Sequence, residues 1–440
     1  MIGENTLKKI GAQVLGSLAR RIIVVHQPTI IGITGSVGKS SAKEATALVL
    51  SKNFTIRYSP GNYNNEYGLP ATVLGIQSPG RSPLAWLHAI VQGLLLLLRA
   101  RPYPEVLILE MGVDRPGDMD ELLKIVTPSV SVLTHVSESH LSQFKNLEEI
   151  AHEKGKLIAA LPETGTAIIN ADNAMAFAES ERTKASVISY GLSPSALLYA
   201  DNIRLLQEGD RIEGISFKLN SGGKSIPVRL PGIIGRHHIS AVLAAAAVGM
   251  ALKMNLVEIA AALADFETLP GRMKLLSGTG KIRIIDDTYN ASYVSTDAAL
   301  STLREIIAPR KVVVLGDMLE IGPHSDEVHR SLRDAVIASG ASVFIGVGQH
   351  MQFLSDALRG TTFPEKSIFH FPDPLTAAER LQEVVRTGDL VLVKGSQGLR
   401  MELLVEILMG SERDEEKRAL LCRQSPGWHA TPFRPPEEWQ

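Results

Sequence analysis

A chain of 440 residues is long enough for two or three domains with sizeable cores. Its 45 Lys and Arg against 47 Asp and Glu leave a net charge of -2, which gives no electrostatic reason to expect nucleic acid as a partner. The single cysteine, Cys422, excludes an intramolecular disulfide and a cysteine-built zinc site and suits a reducing compartment, so a cytoplasmic protein is expected.

Lys8-Lys9 lead into a mixed segment without a cleavage site, so no signal peptide pattern is present. Leu7, Ile10, Val14, Leu15 and Leu18 recur at helical spacing and predict a helix over residues 5–20, flanked by Lys8-Lys9 and Arg20-Arg21. This 1–28 segment is too short for a domain of its own. A strand, Thr29-Ile-Ile-Gly-Ile-Thr34, follows, then a Gly-rich loop and a helix over 39–50. The run 84–98 is strongly apolar but shorter than a bilayer span needs. Two readings stay open for it: a buried or partner-facing helix, or a helix lying on a membrane surface.

Further apolar strands are predicted at 55–58, 105–110, 129–134 and 165–170. Such runs separated by helices suit a mostly parallel sheet covered on both faces. A β-rich edge section is expected over 186–230 and an alanine-rich helix over 237–253. The fold class expected is therefore α/β, with a central P-loop ATPase-type domain over 29–269. Strands at 282–286, 311–315, 342–346 and 390–394 predict a second, Rossmann-like doubly wound domain over 270–410, with the boundary at Leu269-Pro-Gly-Arg272. Residues 411–440 are charged and then Pro-rich and read as a loose tail.

The loop after the first strand carries the clearest chemistry. Gly35 and Gly38 let backbone N–H groups approach phosphate oxygens, with Ser36, Val37 and Ser41 completing the turn. Lys39 supplies positive charge to the β- and γ-phosphates, and Ser40 can place a hydroxyl on Mg2+. The loop departs from the strict phosphate-loop pattern, because Ile33 stands where the first glycine is required. The strand before it and the helix after it support a nucleotide site over a plain Gly-rich turn. Glu110, at the end of a buried strand, can ligate Mg2+ or serve as a capping or salt-bridging residue. The segment Thr134-His-Val-Ser-Glu-Ser-His140 also follows a strand, and its histidines could be structural. From the residues alone, Lys154 and Lys156 read as solvated helix positions. Asp286-Asp-Thr-Tyr-Asn-Ala291 and Lys394-Gly-Ser396 are polar clusters at strand ends, where ligands bind in open α/β sheets or where loops turn.

In order and spacing these motifs resemble the Mur ligase family from about residue 30 to residue 408. The matching pieces are Gly32-Ile-Thr-Gly-Ser-Val-Gly-Lys-Ser40, Gly61-Asn-Tyr-Asn-Asn65, Gly68-Leu-Pro70, Leu109-Glu-Met-Gly112, His140, Lys154-Gly155 and Asn170-Ala-Asp172. Gly235-Arg-His237, Pro270-Gly-Arg272, Asp286-Asp-Thr-Tyr-Asn-Ala291, Leu315-Gly-Asp-Met318 and Val393-Lys-Gly-Ser396 complete them. The Tyr-Asn-Ala and Leu-Gly-Asp-Met pieces look most like the branch that adds D-alanyl-D-alanine to a UDP-muramoyl-tripeptide.

The resemblance implies an ATP-dependent amide-bond ligase of peptidoglycan precursor synthesis that works through an acyl phosphate. Its partners would be small molecules, a muropeptide precursor and a dipeptide. The alternatives are a ligase for another carboxylate (a folate, a polyamino acid or a lipid-linked muropeptide) or a non-enzymatic nucleotide-dependent scaffold. Carried over by position, Lys39 binds phosphates, Ser40 and Glu110 hold one Mg2+, and Glu110 and His140 belong to a second. Lys154 falls where the family carries a carbamylated lysine. Arg272 would reach the γ-phosphate, and His237, Asp287 and Asn290 would contact the nucleotide. Lys394 and Ser396, with Asn62, Asn64 and Asn65, would face the substrate.

Three departures are expected to matter. The family's N-terminal UDP-binding domain has no counterpart before residue 29. His238 and Ala241 stand where asparagines are usual, and Gln397 stands where arginine is. The 1–28 and 84–98 segments are expected to offer a protein or peripheral membrane contact in place of the missing domain.

Overall fold

Strand β1 (Thr29–Thr34) is apolar on both faces, and Ile30, Ile31 and Ile33 are buried, as a strand covered from both sides requires. The other strands of its sheet are β2 (Ile56–Tyr58), β3 (Val106–Glu110), β4 (Val130–Leu133), β5 (Thr166–Asn170), β6 (Ser186–Gly191), β7 (Leu198–Glu208), β8 (Arg211–Ser221) and β9 (Lys224–Pro231). The structure is a computed structural model that describes residues 4–59, 61, 63–77, 82–137, 143–319, 321–411, 414–425 and 427–428. Among these residues the sheet has nine strands in the order β2-β3-β1-β4-β5-β6-β7-β8-β9. Neighbours from β2 through β7 pair in parallel. The chain winds to one side of β1 for β2 and β3, then returns to its other side for β4. The carboxyl ends of β1, β3 and β4 thus flank a topological switch point, where open α/β sheets bind ligands.

Helices cover this sheet: α1 (Glu4–His26), α2 (Lys39–Leu50), α3 (Gly68–Leu74), α4 (Pro83–Leu97), α5 (Asp118–Leu123) and α6 (Leu147–Ala159). Ser82 caps α4 by accepting from Ala85 N, and Pro83 occupies its first turn. α1 packs along α4 at close range, because a Cβ on Gly11 would stand only 2.3 Å from the Trp86 ring. None of the described helices is long and apolar enough to cross a membrane.

The second sheet comprises β10 (Lys274–Ser277), β11 (Arg283–Asp287), β12 (Lys311–Gly316), β13 (Val343–Val347), β14 (Ile368–Phe371) and β15 (Leu390–Lys394). Among the described residues its order is β10-β11-β15-β12-β13-β14, parallel except for the antiparallel pair β10 and β11. This is the doubly wound pattern expected, with two short edge strands, β10 and β14, that the sequence pattern did not reveal. Both are four residues long and mostly half-buried, so neither shows the continuous apolar run of the strands between them.

The chain divides into two compact units. The first contains Met1–Ile203, Phe217–Arg229 and His238–Phe266, and the second contains Arg204–Ser216, Leu230–His237 and Glu267–Gln440. A single boundary at 269/270 would have left all of 204–237 with the first unit. The ends of β7, β8 and β9 belong instead to the second, tied there by side-chain bonds. Gln207 Nε2 donates to Ile307 O, Arg283 donates to Asp210 O, and Arg236 pairs with Glu305.

The described residues 414–425 also depart from a loose tail. Leu421, Cys422 and Arg423 are buried within the second unit. Arg423 donates to Thr288 O at 2.5 Å and Tyr289 O at 3.0 Å, and pairs with Glu402 at 2.7 Å. Glu402 is 1% exposed and would keep only Arg400 Nε, at 3.3 Å, so removing Arg423 leaves its buried charge under-compensated. Arg423→Ala is therefore expected to destabilise the second unit by about 3 kcal/mol, read as a fall in the urea midpoint of its unfolding transition. An unchanged midpoint would show that the segment does not support this unit.

Candidate functional site

The loop after β1 is anchored at several points. Gly35 has φ 149°, and a Cβ there would stand 2.0 Å from Thr134 Oγ1, so only glycine fits. Thr134, just past β4, donates to Val37 O at 2.7 Å and Thr34 O at 3.2 Å. Ser36 N donates to His135 O at 2.6 Å, and Ser36 Oγ donates to Ser137 O at 3.0 Å. Val37 forms a bridge with His135. The loop is thus locked to the exit of β4, and Gly38, with φ 87°, turns it into the N-terminus of α2. Lys39 lies over the loop and donates to Gly35 O at 2.7 Å and to Ser36 O at 3.4 Å. Ser40 and Ser41 stand half-buried in the first turn of α2. A cation over an anchored loop at a helix N-terminus suits phosphate oxygens.

Glu110 ends β3 and is 2% exposed. Ser40 Oγ donates to its Oε2 at 3.0 Å, and Asn64 Nδ2 donates to its Oε1 at 3.3 Å. Lys43, one turn along α2 from Lys39, brings its ammonium to 3.6 Å from Glu110 Oε2. Lys43 is 1% exposed and donates to Ser59 O at 2.7 Å and Gly61 O at 2.9 Å. It therefore joins the carboxylate to the loop that carries Asn64. Sequence reasoning overlooked Lys43, although its place four residues after Lys39 puts both lysines on one face of α2.

Asn65 has its side-chain oxygen engaged within its own loop. Its Oδ1 accepts from Tyr67 N and Gly68 N, so its oxygen caps the start of α3. Among the described residues no three His, Cys, Asp or Glu side chains gather as a metal cage. A hydroxyl beside a carboxylate nonetheless suits Mg2+, which keeps several waters and takes phosphate oxygens as ligands. Asn62 and His140 lie outside the described residues.

Lys154, on α6, is 2% exposed, so it is not the solvated helix position that its sequence surroundings suggest. Lys156, two residues on, does reach outward and pairs with Asp120 and Glu153. Burial, and then the positive charge of Lys39, push the Lys154 ammonium down to about 7, against the pull of Asp114 and Glu153. The shift favours the free amine, a nucleophile rather than a cation, far more than in a solvated lysine.

In the second unit, β11 and β15 end side by side. Asp287 Oδ2 accepts from Lys394 Nζ at 2.6 Å, and Lys394 also donates to Asn290 O at 2.9 Å. Lys394 is 1% exposed, so its charge is committed to this loop. Ser396 Oγ donates to Ala291 O at 3.4 Å and accepts from Leu319 N at 2.9 Å. Gln397 N donates to Asn290 Oδ1 at 3.3 Å. Asp286 accepts from Gly271 N, Thr288 N and Thr288 Oγ1, and burial raises its carboxyl to about 6. The Arg272 guanidinium stacks on Tyr289 with its carbon 4.0 Å from the ring centre. His237 stands exposed at the start of the helix His237–Ala251, in which His238 and Ala241 are buried.

Two family models match the chain: the Mur ligase middle domain over residues 89–249 and the Mur ligase glutamate ligase domain over residues 271–397. The UDP-N-acetylmuramoyl-tripeptide–D-alanyl-D-alanine ligase of Escherichia coli (strain K12) is 32% identical over 397 residues, which are 89% of this chain and 79% of that protein. The chain belongs to the Mur ligase family. A crystal structure of MurF from Acinetobacter baumannii superposes on this Mur ligase with a TM-score of 0.74 at 26% identity, covering 91% of this chain and 80% of that one. MurF ligase from Thermotoga maritima in complex with ADP gives a TM-score of 0.74 at 26% identity, covering 92% and 84%.

The buried amine of this Mur ligase has a consequence for stability. The unfolded chain holds a proton on Lys154 up to its ordinary value of 10.5, whereas the folded chain releases it near 7. Between these values the unfolded state binds more protons, so stability rises with pH, by at most about 1.4 kcal/mol per unit. Urea midpoints measured from pH 7 to 9 in buffer freed of carbon dioxide, where Lys154 is unmodified, are expected to climb in the wild type and to climb less in Lys154→Met. Parallel curves for the two proteins would rule this out.

Proposed function

We propose that this Mur ligase joins D-alanyl-D-alanine to UDP-N-acetylmuramoyl-tripeptide as ATP becomes ADP and phosphate. The observation that carries the reading is one cluster in the first unit. A phosphate-loop lysine and a buried carboxylate beside a hydroxyl stand at the switch point of the sheet, and the buried Lys154 is near enough to feel the charge of Lys39. The activity named for the E. coli relative, aligned over 89% of this chain, supports the same reading.

In the first step a carboxylate oxygen of the tripeptide attacks the γ-phosphorus, and the bond to the β-phosphate oxygen breaks to release ADP. In the second, the dipeptide amine attacks the acyl carbon, loses a proton and expels phosphate, leaving an amide. Phosphoryl transfer of this kind needs position and charge neutralisation more than covalent help from the protein. Lys39 would exchange the Gly35 and Ser36 carbonyls for phosphate oxygens. The N–H groups of 35–41 would hold the phosphate chain in place. Ser40 and Glu110 would hold Mg2+, whose charge offsets that of the phosphates when bound.

Lys154 is assigned as the carbamylated lysine. Its free amine would attack carbon dioxide, forming an N–C bond and giving up a proton to water. The resulting carbamate oxygen would serve, with Glu110 and His140, a second Mg2+. Asn62, Asn64 and Asn65 are assigned to the substrate, with Asn64 held by Glu110. Arg272, His237, Asp287 and Asn290 are assigned to the nucleotide, and Lys394 and Ser396 to the substrate. On this reading Lys394 acts by holding the 287–291 loop in shape, because its ammonium is already paired.

The test is phosphate release from ATP with UDP-N-acetylmuramoyl-tripeptide, followed by product mass. Release is expected to rise on adding D-alanyl-D-alanine and to fall at least about 100-fold in Lys39→Ala, as loss of a phosphate-positioning cation implies. A rate indifferent to the dipeptide would sink the substrate assignment. For the carbamate, bicarbonate is expected to speed the wild type but not Lys154→Ala. Full turnover by that variant would remove the carbamate role.

A further inference from the structure

The outward face of α4 is largely apolar, with the exposed His88 beside its stripe of large apolar side chains. Leu84, Leu87, Val91, Leu94 and Leu98 recur at alternating three- and four-residue steps, one line on a helix, and are 78%, 58%, 46%, 50% and 77% exposed. The opposite seam, Ala89, Gly93 and Leu96, is buried. Five large exposed apolar side chains in one stripe make a patch of the kind that marks an interaction surface.

Charge says which partner suits it. From residue 67 to residue 104 there is no Asp or Glu, and the arginines there include Arg99 and Arg101 just past the stripe's end. Both are exposed. Arg99 donates to Val25 O on α1 and Arg101 to Gln92 on α4, so both side chains are held beside the end of the stripe. Next to them opens a cavity of about 480 Å³ lined by His26, Arg99, Arg101 and Tyr103, together with Glu105, whose carboxylate is taken up by Thr55. α4 has 15 residues, too few to span a bilayer, so its fit is to the plane of one. A second copy docked symmetrically on the stripe would bring like-charged arginines into one interface.

We propose that α4 is a membrane-docking helix that lies on an anionic phospholipid surface. The stripe 84–98 enters the headgroup boundary, and Arg99 and Arg101 meet lipid phosphates.

The test is co-sedimentation of the full chain with vesicles of phosphatidylcholine alone or with one-third phosphatidylglycerol. Binding to the phosphatidylglycerol vesicles is expected at least 10-fold tighter and weakening as salt is raised. Leu87→Glu/Leu94→Glu, at exposed positions, is expected to abolish it with the melting temperature unchanged, and Arg101→Gln to weaken it several-fold. Absence of vesicle binding, equal binding to both vesicles, or binding retained by Leu87→Glu/Leu94→Glu would overturn the proposal. A concentration-dependent dimer that Leu87→Glu/Leu94→Glu dissociates, without vesicle binding, would overturn it in favour of a second copy.

Discussion

The first unit's site depends on a buried carboxylate that cannot stand alone. Glu110 has almost no contact with solvent, and a charge in that position is costly unless other groups compensate it. Lys43 supplies the opposite charge, while Ser40 and Asn64 supply hydrogen bonds. Each of these partners does a second job. Ser40 lies in the first turn of the helix that follows the phosphate loop. Lys43 holds the carbonyls of Ser59 and Gly61, and Asn64 O accepts from Gly112 N. Satisfying one carboxylate thereby sets three parts against one another: the loop at 35–41, the residues Ser59, Gly61 and Asn64, and the end of β3.

A similar solution recurs in the second unit. Asp287 and Lys394 stand at the ends of adjacent strands, and their ion pair is buried. Lys394 then reaches the carbonyl of Asn290, as Lys43 reaches those of Ser59 and Gly61. In both places a lysine stem crosses the interior and its head fastens a loop at a strand's carboxyl end. The second unit adds support from beyond its last helix in the sheet region, since Arg423 takes the carbonyls of Thr288 and Tyr289. Backbone acceptors in tight loops need such partners when water is kept out. The motifs that look like ligand loops in sequence are therefore also the places where buried cations are most needed.

The sequence by itself determined the alternation of strands and helices and the place of the phosphate loop. Continuous apolar runs such as 29–34 and 390–394 have few other ways to be buried, and Gly35 and Gly38 with Lys39 declare a local geometry. Glu110 was legible because a charged residue closing an apolar strand falls at the sheet's ligand-binding pole. The burial of Lys43 and Lys154, the capping by Asn65 and the docking of Arg423 were not legible, because nothing local distinguishes a buried lysine from a solvated one or a capping asparagine from a ligand-facing one. Their roles are set by what long-range folding brings beside them. For Lys43 this is Glu110 and the Ser59 carbonyl, and for Lys154 it is Lys39 and the loss of water. Only the tertiary structure decided those, since burial and the sign of neighbouring charge are properties of packed neighbours and not of residue type.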